Sequence, residues 1–75
     1  MKTVKGWSRK KFAENLKLWR IGQGLSQKEL ANKINVSFQT ISHWETGYAI
    51  PSIDEIVALA DYFETSIDEL VGRTL

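Results

Sequence analysis

The sequence predicts an all-α fold, a compact domain of five short helices. Apolar residues recur three and four positions apart along most of the 75-residue chain, and no stretch alternates apolar with polar residues as a half-buried strand does. Serine residues that suit helix N-caps precede the apolar stretches, and glycine or asparagine residues follow several of them. Since a chain of this length can bury only one core, the five helices are expected to pack together.

The first helix is predicted over residues 9–21, between an N-cap at Ser8 and a stop at Gly22. Apolar residues at helical spacing form a stripe that is expected to face the core. The residues of this predicted stripe are Phe12, Leu16, Leu18, Trp19 and Ile21.

Two shorter helices follow. The capping box Ser26-x-x-Glu29 opens the second helix, over residues 27–34. Asn35 then tolerates the left-handed backbone of a tight turn, and Ser37 caps the third helix, which ends at Thr46. The predicted buried residues of the two helices and their turn are Leu30, Ala31, Ile34, Val36, Ile41 and Trp44.

Two further capping boxes predict the last two helices. Ser52-x-x-Glu55 opens the fourth helix, over residues 52–63, and Ser66-x-x-Glu69 opens the fifth, over residues 66–71. The predicted buried residues of these helices are Ile53, Ile56, Val57, Ala60, Phe63, Ile67 and Leu70.

The helices define a single predicted domain over residues 9–72, with a flexible N-terminal arm over residues 1–8 and a short tail over residues 73–75. For Trp7 in the arm three interpretations stay open: it anchors the arm on the domain, contacts a protein partner or touches DNA. Anchoring is the simplest of these.

Charge is distributed unevenly, although the formal net charge is only +1. Residues 1–33 hold nine Lys or Arg and two acidic residues, whereas residues 34–75 hold one Arg and seven acidic residues. We expect the basic part to face a polyanion, and the acidic residues to stabilise helix starts. The basic residues available to phosphates are Lys2, Lys5, Arg9, Lys10, Lys11 and Lys28.

Composition argues against several classes of protein. The chain has no cysteine and one histidine, so no disulfide, metal site or cofactor is expected. It shows no nucleophile with a paired base and no phosphate-binding glycine loop, which predicts that it is not an enzyme. No apolar run reaches the length of a membrane span or signal peptide, which favours a cytoplasmic protein without membrane contact.

The stretch from Gln27 to Thr46 meets the demands of a helix-turn-helix, in which two short helices meet at a tight turn. Close helix crossing needs a small residue, which Ala31 supplies. The turn needs a left-handed residue, which Asn35 supplies.

Over Phe12 to Val71 the sequence resembles the Cro/lambda-repressor-like (Xre-type) helix-turn-helix proteins. Where that family often has Gly, this chain has Asn35 in the turn and Glu64 before the fifth helix. Its loop after the third helix lacks the basic residues that many members carry. The matching motifs are Gly24-Leu25-Ser26-Gln27, Leu30-Ala31, Val36-Ser37, Ile41-Ser42, Trp44-Glu45, Gly47, Pro51-Ser52, Leu59-Ala60 and Ser66-Ile67-Asp68-Glu69-Leu70.

The resemblance implies a lambda-repressor-like domain whose third helix enters the major groove of double-stranded DNA. It also implies an internal ion pair between Arg20 and Glu45. The implied base contacts are Ser37, Phe38, Gln39, Thr40, Ser42 and His43. The implied phosphate contacts are Ser26, Gln27, Lys28, Thr46, Gly47 and Tyr48.

These features predict a sequence-specific transcriptional regulator, a repressor that binds a palindromic operator as a homodimer. Val71, Leu75 and exposed parts of the fifth helix are the expected dimer surface. One alternative is an antitoxin-type regulator that also binds a protein partner through the N-terminal arm. Another is a protein-binding module in which the helix-turn-helix is only a scaffold.

Overall fold

The computed structural model describes residues 7–73, and the predicted all-α fold is confirmed there. Five helices and no strand occupy this part of the chain, with bounds within a residue or two of the predicted ones. The helices are α1 Arg9–Gly22, α2 Gln27–Ile34, α3 Phe38–Glu45, α4 Ile53–Phe63 and α5 Ile67–Val71. Of the predicted arm and tail, only Trp7, Ser8 and Arg73 fall within the described residues.

Each helix begins at a serine whose hydroxyl accepts the backbone N–H three residues on. The boxes at Ser26 and Ser52 are complete, because Glu29 and Glu55 accept the backbone N–H of the capping serine in return. The third predicted box, Ser66-x-x-Glu69, is only half formed. The Thr65 hydroxyl lies 3.3 Å from the Glu69 carboxylate and competes with the Ser66 amide for it.

Two helices end at left-handed residues other than glycine. Asn35 follows α2 with φ 60°, and Glu64 follows α4 with φ 54°. Asparagine tolerates this conformation well, whereas glutamate has no such preference. The turn at Asn35 lets the Val36 amide donate to the Ala31 carbonyl at 2.9 Å, which closes the end of α2 before α3 begins.

Every helix contributes to one core. Ala31 and Ile41 let α2 and α3 approach closely, and residues of α1, α4 and α5 close the other sides. The buried apolar residues are Phe12, Ala13, Leu16, Leu30, Ala31, Ile41, Trp44, Leu59, Ala60, Phe63 and Leu70. Trp19, Ile34, Val36 and Ile56, which were predicted as core, are only partly buried at its margin.

Five residues predicted to be buried are exposed. Leu18 lies two positions from Leu16, and Val57 two from Leu59, so each points some 200° around its helix from a buried neighbour. Ile53 and Ile67 are the first residues of their helices, where neighbours cover less of the side chain. The exposed residues are Leu18, Ile21, Ile53, Val57 and Ile67, at 42–77% relative accessibility.

Side chains from the N-terminal part of the chain hold the end of α5. Trp7 packs against the core and its indole N–H donates to the Val71 carbonyl at 2.9 Å, as the anchoring interpretation predicted. The Asn15 amide donates to the Glu69 and Leu70 carbonyls at 2.7 and 2.8 Å. These contacts satisfy carbonyls that a helix leaves unpaired at its C-terminus.

Candidate nucleic-acid interface

The α2–turn–α3 unit has the geometry of a helix-turn-helix. Residues 35–37 connect two eight-residue helices, and buried Leu30, Ala31 and Ile41 lie on their inner faces. Burial of Ile41 and Trp44 fixes the orientation of α3, because these two side chains can face the core only if the opposite side of the helix faces solvent.

The outward side of α3 carries the side chains that the sequence predicted as base contacts. Gln39 and His43 are exposed, and the Phe38 ring is 45% exposed. Thr40 and Ser42 are only half exposed. Glu45, whose side chain is 3% exposed, is the one Asp, Glu, Lys or Arg of α3, so the outward side of this helix carries none of these residues.

Two of these predicted contacts are engaged with each other. The Ser37 hydroxyl accepts the Thr40 amide at 3.1 Å and lies 2.8 Å from the Thr40 hydroxyl. One of the two hydroxyl protons is used in the hydrogen bond between Ser37 and Thr40, and the other can be donated to a ligand. Gln39, in contrast, has both donor and acceptor groups of its amide on the exposed surface.

The loop after α3 is held against the end of that helix. The rings of His43 and Tyr48 lie 4.9 Å apart at 49°, and the His43 carbonyl accepts the Ala49 amide and the Thr46 hydroxyl, both at 3.2 Å. Gly47 has φ 78°, a left-handed conformation that glycine adopts without the strain that a Cβ brings. The predicted phosphate contacts Thr46, Gly47 and Tyr48 are therefore neighbours in an ordered turn.

A basic residue from α1 reaches this loop. A Cβ built on Gly47 would lie 4.0 Å from Cγ of Arg9, so the Arg9 side chain runs beside the loop. The loop itself has no Lys or Arg, and sequence reasoning offered no way to place Arg9 against it because 38 positions separate the two residues.

A carboxylate already interacts with the start of α2. The Ser26 amide donates to Glu29 Oε1 at 2.8 Å, and the Ser26 hydroxyl accepts the Glu29 amide at 3.0 Å. The hydrogen bond from the Ser26 backbone lowers the pKa of Glu29, with a smaller contribution from the Ser26 hydroxyl. The unpaired amides of Gln27 and Lys28 are then the groups at this helix start that suit a phosphate.

An ion pair joins α1 to the end of α3. Arg20 Nε lies 2.6 Å from Glu45 Oε2, and the second Arg20–Glu45 bond measures 2.9 Å, so the pairing suggested by the family resemblance is bidentate in the structure. The side chains are 12% and 3% exposed. The hydrogen bond to Glu45 raises the pKa of Arg20 above its usual value despite the opposing effect of burial.

The ion pair also connects the first two helices to the third. Arg20 donates to the Leu25 carbonyl at 2.7 Å, and the Gln27 amide donates to Glu45 Oε1 at 3.2 Å. Gln27, a predicted phosphate contact, therefore has one amide hydrogen held by Glu45 and one left for another acceptor. The sequence carried no signal for this contact across 18 positions.

Between Trp7 and Arg73, no three His, Cys, Asp or Glu side chains are grouped so as to hold a metal ion. None of the five helices combines the length and apolarity required to cross a membrane.

Comparison with known proteins supports the geometric interpretation. A family model described as helix-turn-helix matches residues 16–70. The HTH-type transcriptional activator BcrR of Enterococcus faecalis is 36% identical over 61 residues, which make up 81% of this chain and 30% of BcrR. A transcriptional regulator from Listeria innocua superposes with a TM-score of 0.79 at 39% identity, over 85% of this chain and 60% of that one.

The P22 c2 repressor was solved in complex with a synthetic operator. It superposes with a TM-score of 0.74 at 27% identity, over 79% of this chain and 89% of the repressor chain. This chain spans less than a third of BcrR and under two thirds of the Listeria regulator, so those similarities concern one part of longer proteins. The chain belongs to the helix-turn-helix family of Cro- and lambda-repressor-like, Xre-type proteins.

Proposed function

We propose that this chain is a sequence-specific DNA-binding module of a transcriptional regulator, with α3 in the major groove. The observation that carries the proposal is the outward side of α3, where an uncharged set of hydrogen-bonding groups is presented by a helix whose other side is buried. Within this set, the Gln39 amide suits adenine, since it can donate to N7 and accept from N6 at once.

Phosphate contacts flank this reading surface in the proposal. Lys28 and the first amides of α2 lie on one side, with Gln27 oriented by Glu45. Thr46, Tyr48 and the neighbouring Arg9 lie on the other. Because only a few cations take part, we expect binding to weaken less steeply with salt than in strongly basic DNA-binding proteins.

The proposed regulator binds a palindromic operator as a homodimer. An eight-residue helix is about 12 Å long and contacts few base pairs, so two copies on half-sites about 34 Å apart are needed for specificity. On α5, Val71 is partly buried and its carbonyl is bound by Trp7, and Leu75 lies outside the described residues. Ile67, 46% exposed, is the apolar residue of α5 that remains for the proposed dimer surface.

Repression is the proposed regulatory outcome, because a dimer on an operator that overlaps a promoter excludes polymerase without further contacts. The relatives include both an activator and a repressor by name. Fusion of an operator-containing promoter to a reporter gene distinguishes the two, since repression predicts lower expression when the chain is present.

The direct test of the proposed function is selection of double-stranded DNA from a random pool, at low salt, followed by sequencing. The proposal predicts an enriched palindrome with half-sites one helical turn apart. A Gln39→Ala variant should select a sequence with relaxed preference at one position of each half-site. A pool that shows no enrichment would rule out specific readout and favour the protein-binding alternative.

A further inference from the structure

We propose that Phe38 recognises the C5-methyl group of a pyrimidine in the major groove, and that Lys28 holds the Phe38 ring in position for this contact. The proposal rests on the proposed DNA-binding function and deepens it, because it assigns one chemical group on the DNA to one side chain. Thymine carries this methyl group in unmodified DNA.

Phe38 is the first residue of α3 and is 45% exposed, whereas Ile41 and Trp44 of the same helix are buried. Its neighbours on the outward side, Gln39 and His43, carry hydrogen-bonding groups. An apolar ring within a polar reading surface is suited to an apolar feature of the ligand.

Lys28 restrains this ring from the side of α2. Its ammonium lies 5.4 Å from the centroid of the Phe38 ring, within the range of a cation–π contact. The two residues line a shallow cavity of about 330 Å³ between α2 and α3. The other residues of the cavity wall are Ala31, Asn32, Val36 and Ser37.

Of the groups that the base pairs expose in the major groove, the thymine methyl group suits the Phe38 ring best. A phenylalanine ring has no hydrogen-bond donor or acceptor with which to pair the exposed N4 of cytosine, N6 of adenine or O6 of guanine. Covering one of those atoms with the ring removes its water without replacing the hydrogen bond, which is unfavourable. The thymine methyl group is the apolar feature of the four base pairs in this groove, so Phe38 favours thymine by contact and disfavours the other bases by desolvation.

The test uses the duplex recovered by selection, in which each thymine in turn is replaced by uracil. This exchange removes one methyl group and leaves every hydrogen-bonding group of the base unchanged. At one position per half-site we expect the wild-type affinity to fall about fourfold, the effect of burying one methyl-sized group. The Phe38→Ala variant should bind the thymine and uracil duplexes equally.

Two variants serve as controls. Gln39→Ala should bind more weakly overall and keep the fourfold thymine preference, because it leaves the Phe38 ring in place. Lys28→Gln should reduce the preference and also make binding less dependent on salt. Phe38→Ala, whose ring is outside the core, should still unfold in a single cooperative thermal transition, which shows that the fold is intact.

The outcomes separate this inference from the proposed function. An enriched palindrome in which every uracil exchange is tolerated, or a Phe38→Ala variant that keeps the preference, would overturn the role of Phe38 while DNA binding stands. Selected half-sites without an invariant thymine would do the same. Absence of any enriched DNA would overturn both.

Discussion

The α2–turn–α3 unit and the α5 end of the molecule are held in place by different interactions. Beneath α3, a buried ion pair and a glutamine amide join three segments of the chain. At α5, neutral side-chain donors from Trp7 and Asn15 bind backbone carbonyls at the helix end. A five-residue helix is not stable alone, so α5 depends on these contacts and on Leu70.

Because the two regions use different contacts, substitutions in them should affect stability and DNA recognition separately. Loss of a contact at α5 should lower stability and leave the affinity of one folded copy for a single half-site unchanged, because no predicted DNA contact lies there. Loss of an outward side chain of α3 should leave the stability unchanged and lower the affinity for DNA. The Arg20–Glu45 pair affects both stability and recognition, since loss of one partner leaves a buried charge unpaired and also releases Gln27 and the end of α3.

The largest effect is expected for Glu45→Ala. It leaves the Arg20 guanidinium, 12% exposed, without its partner and should lower the free energy of unfolding by about 3–5 kcal/mol. Urea denaturation measures this loss. The matched control is the double variant Arg20→Met/Glu45→Leu, which removes both charges and should recover much of the stability. An equal loss in the single and double variants would contradict the role assigned to the stranded charge.

A smaller loss is expected for Asn15→Ala. The substitution removes both hydrogen bonds to the Glu69 and Leu70 carbonyls and should lower the free energy of unfolding by about 1–3 kcal/mol. The affinity for a duplex with a single half-site, measured below the unfolding transition, should equal that of the wild type, because this measurement does not depend on the proposed dimer surface of α5. Weakened DNA binding by the folded variant would show that α5 and the reading surface are not independent.

A gain in stability is expected for Glu64→Gly. Glycine removes the left-handed strain at φ 54°, which is worth about 1–2 kcal/mol. Part of this gain is offset because glycine loses more conformational entropy on folding than glutamate does. The net gain in the free energy of unfolding should be about 0.5–1 kcal/mol. Asn35→Gly is the control at the other left-handed turn and should gain less, since asparagine tolerates that conformation. A destabilised Glu64→Gly variant would refute this view of the α4–α5 turn.

Local signals in the sequence predicted the helices well. Serine caps and turn residues act through neighbouring backbone groups, so their patterns can be recognised without knowledge of the fold. The half-formed box at Ser66 shows the limit, because Thr65 competes for the Glu69 carboxylate.

The buried faces were harder to predict, because a helix is covered only where another element packs. The exposed Val57 and the buried Leu59 are both apolar and two positions apart, and Leu59 was missing from the predicted core of the fourth helix. Long-range contacts show the same limit. The Arg20–Glu45 pair was suggested by resemblance to a family and not by spacing, and neither Arg9 beside Gly47 nor Gln27 on Glu45 was anticipated.

The most direct test of the central claim compares the affinity of Gln39→Ala and wild type for the selected duplex and for a scrambled duplex of equal length. The account predicts unchanged stability, since Gln39 is exposed, and an affinity for the selected duplex lower by about 1–3 kcal/mol. Affinity for the scrambled duplex should not change, because phosphate contacts dominate it. Equal losses on both duplexes, or no loss on either, would contradict the claim that the uncharged side of α3 reads the DNA sequence.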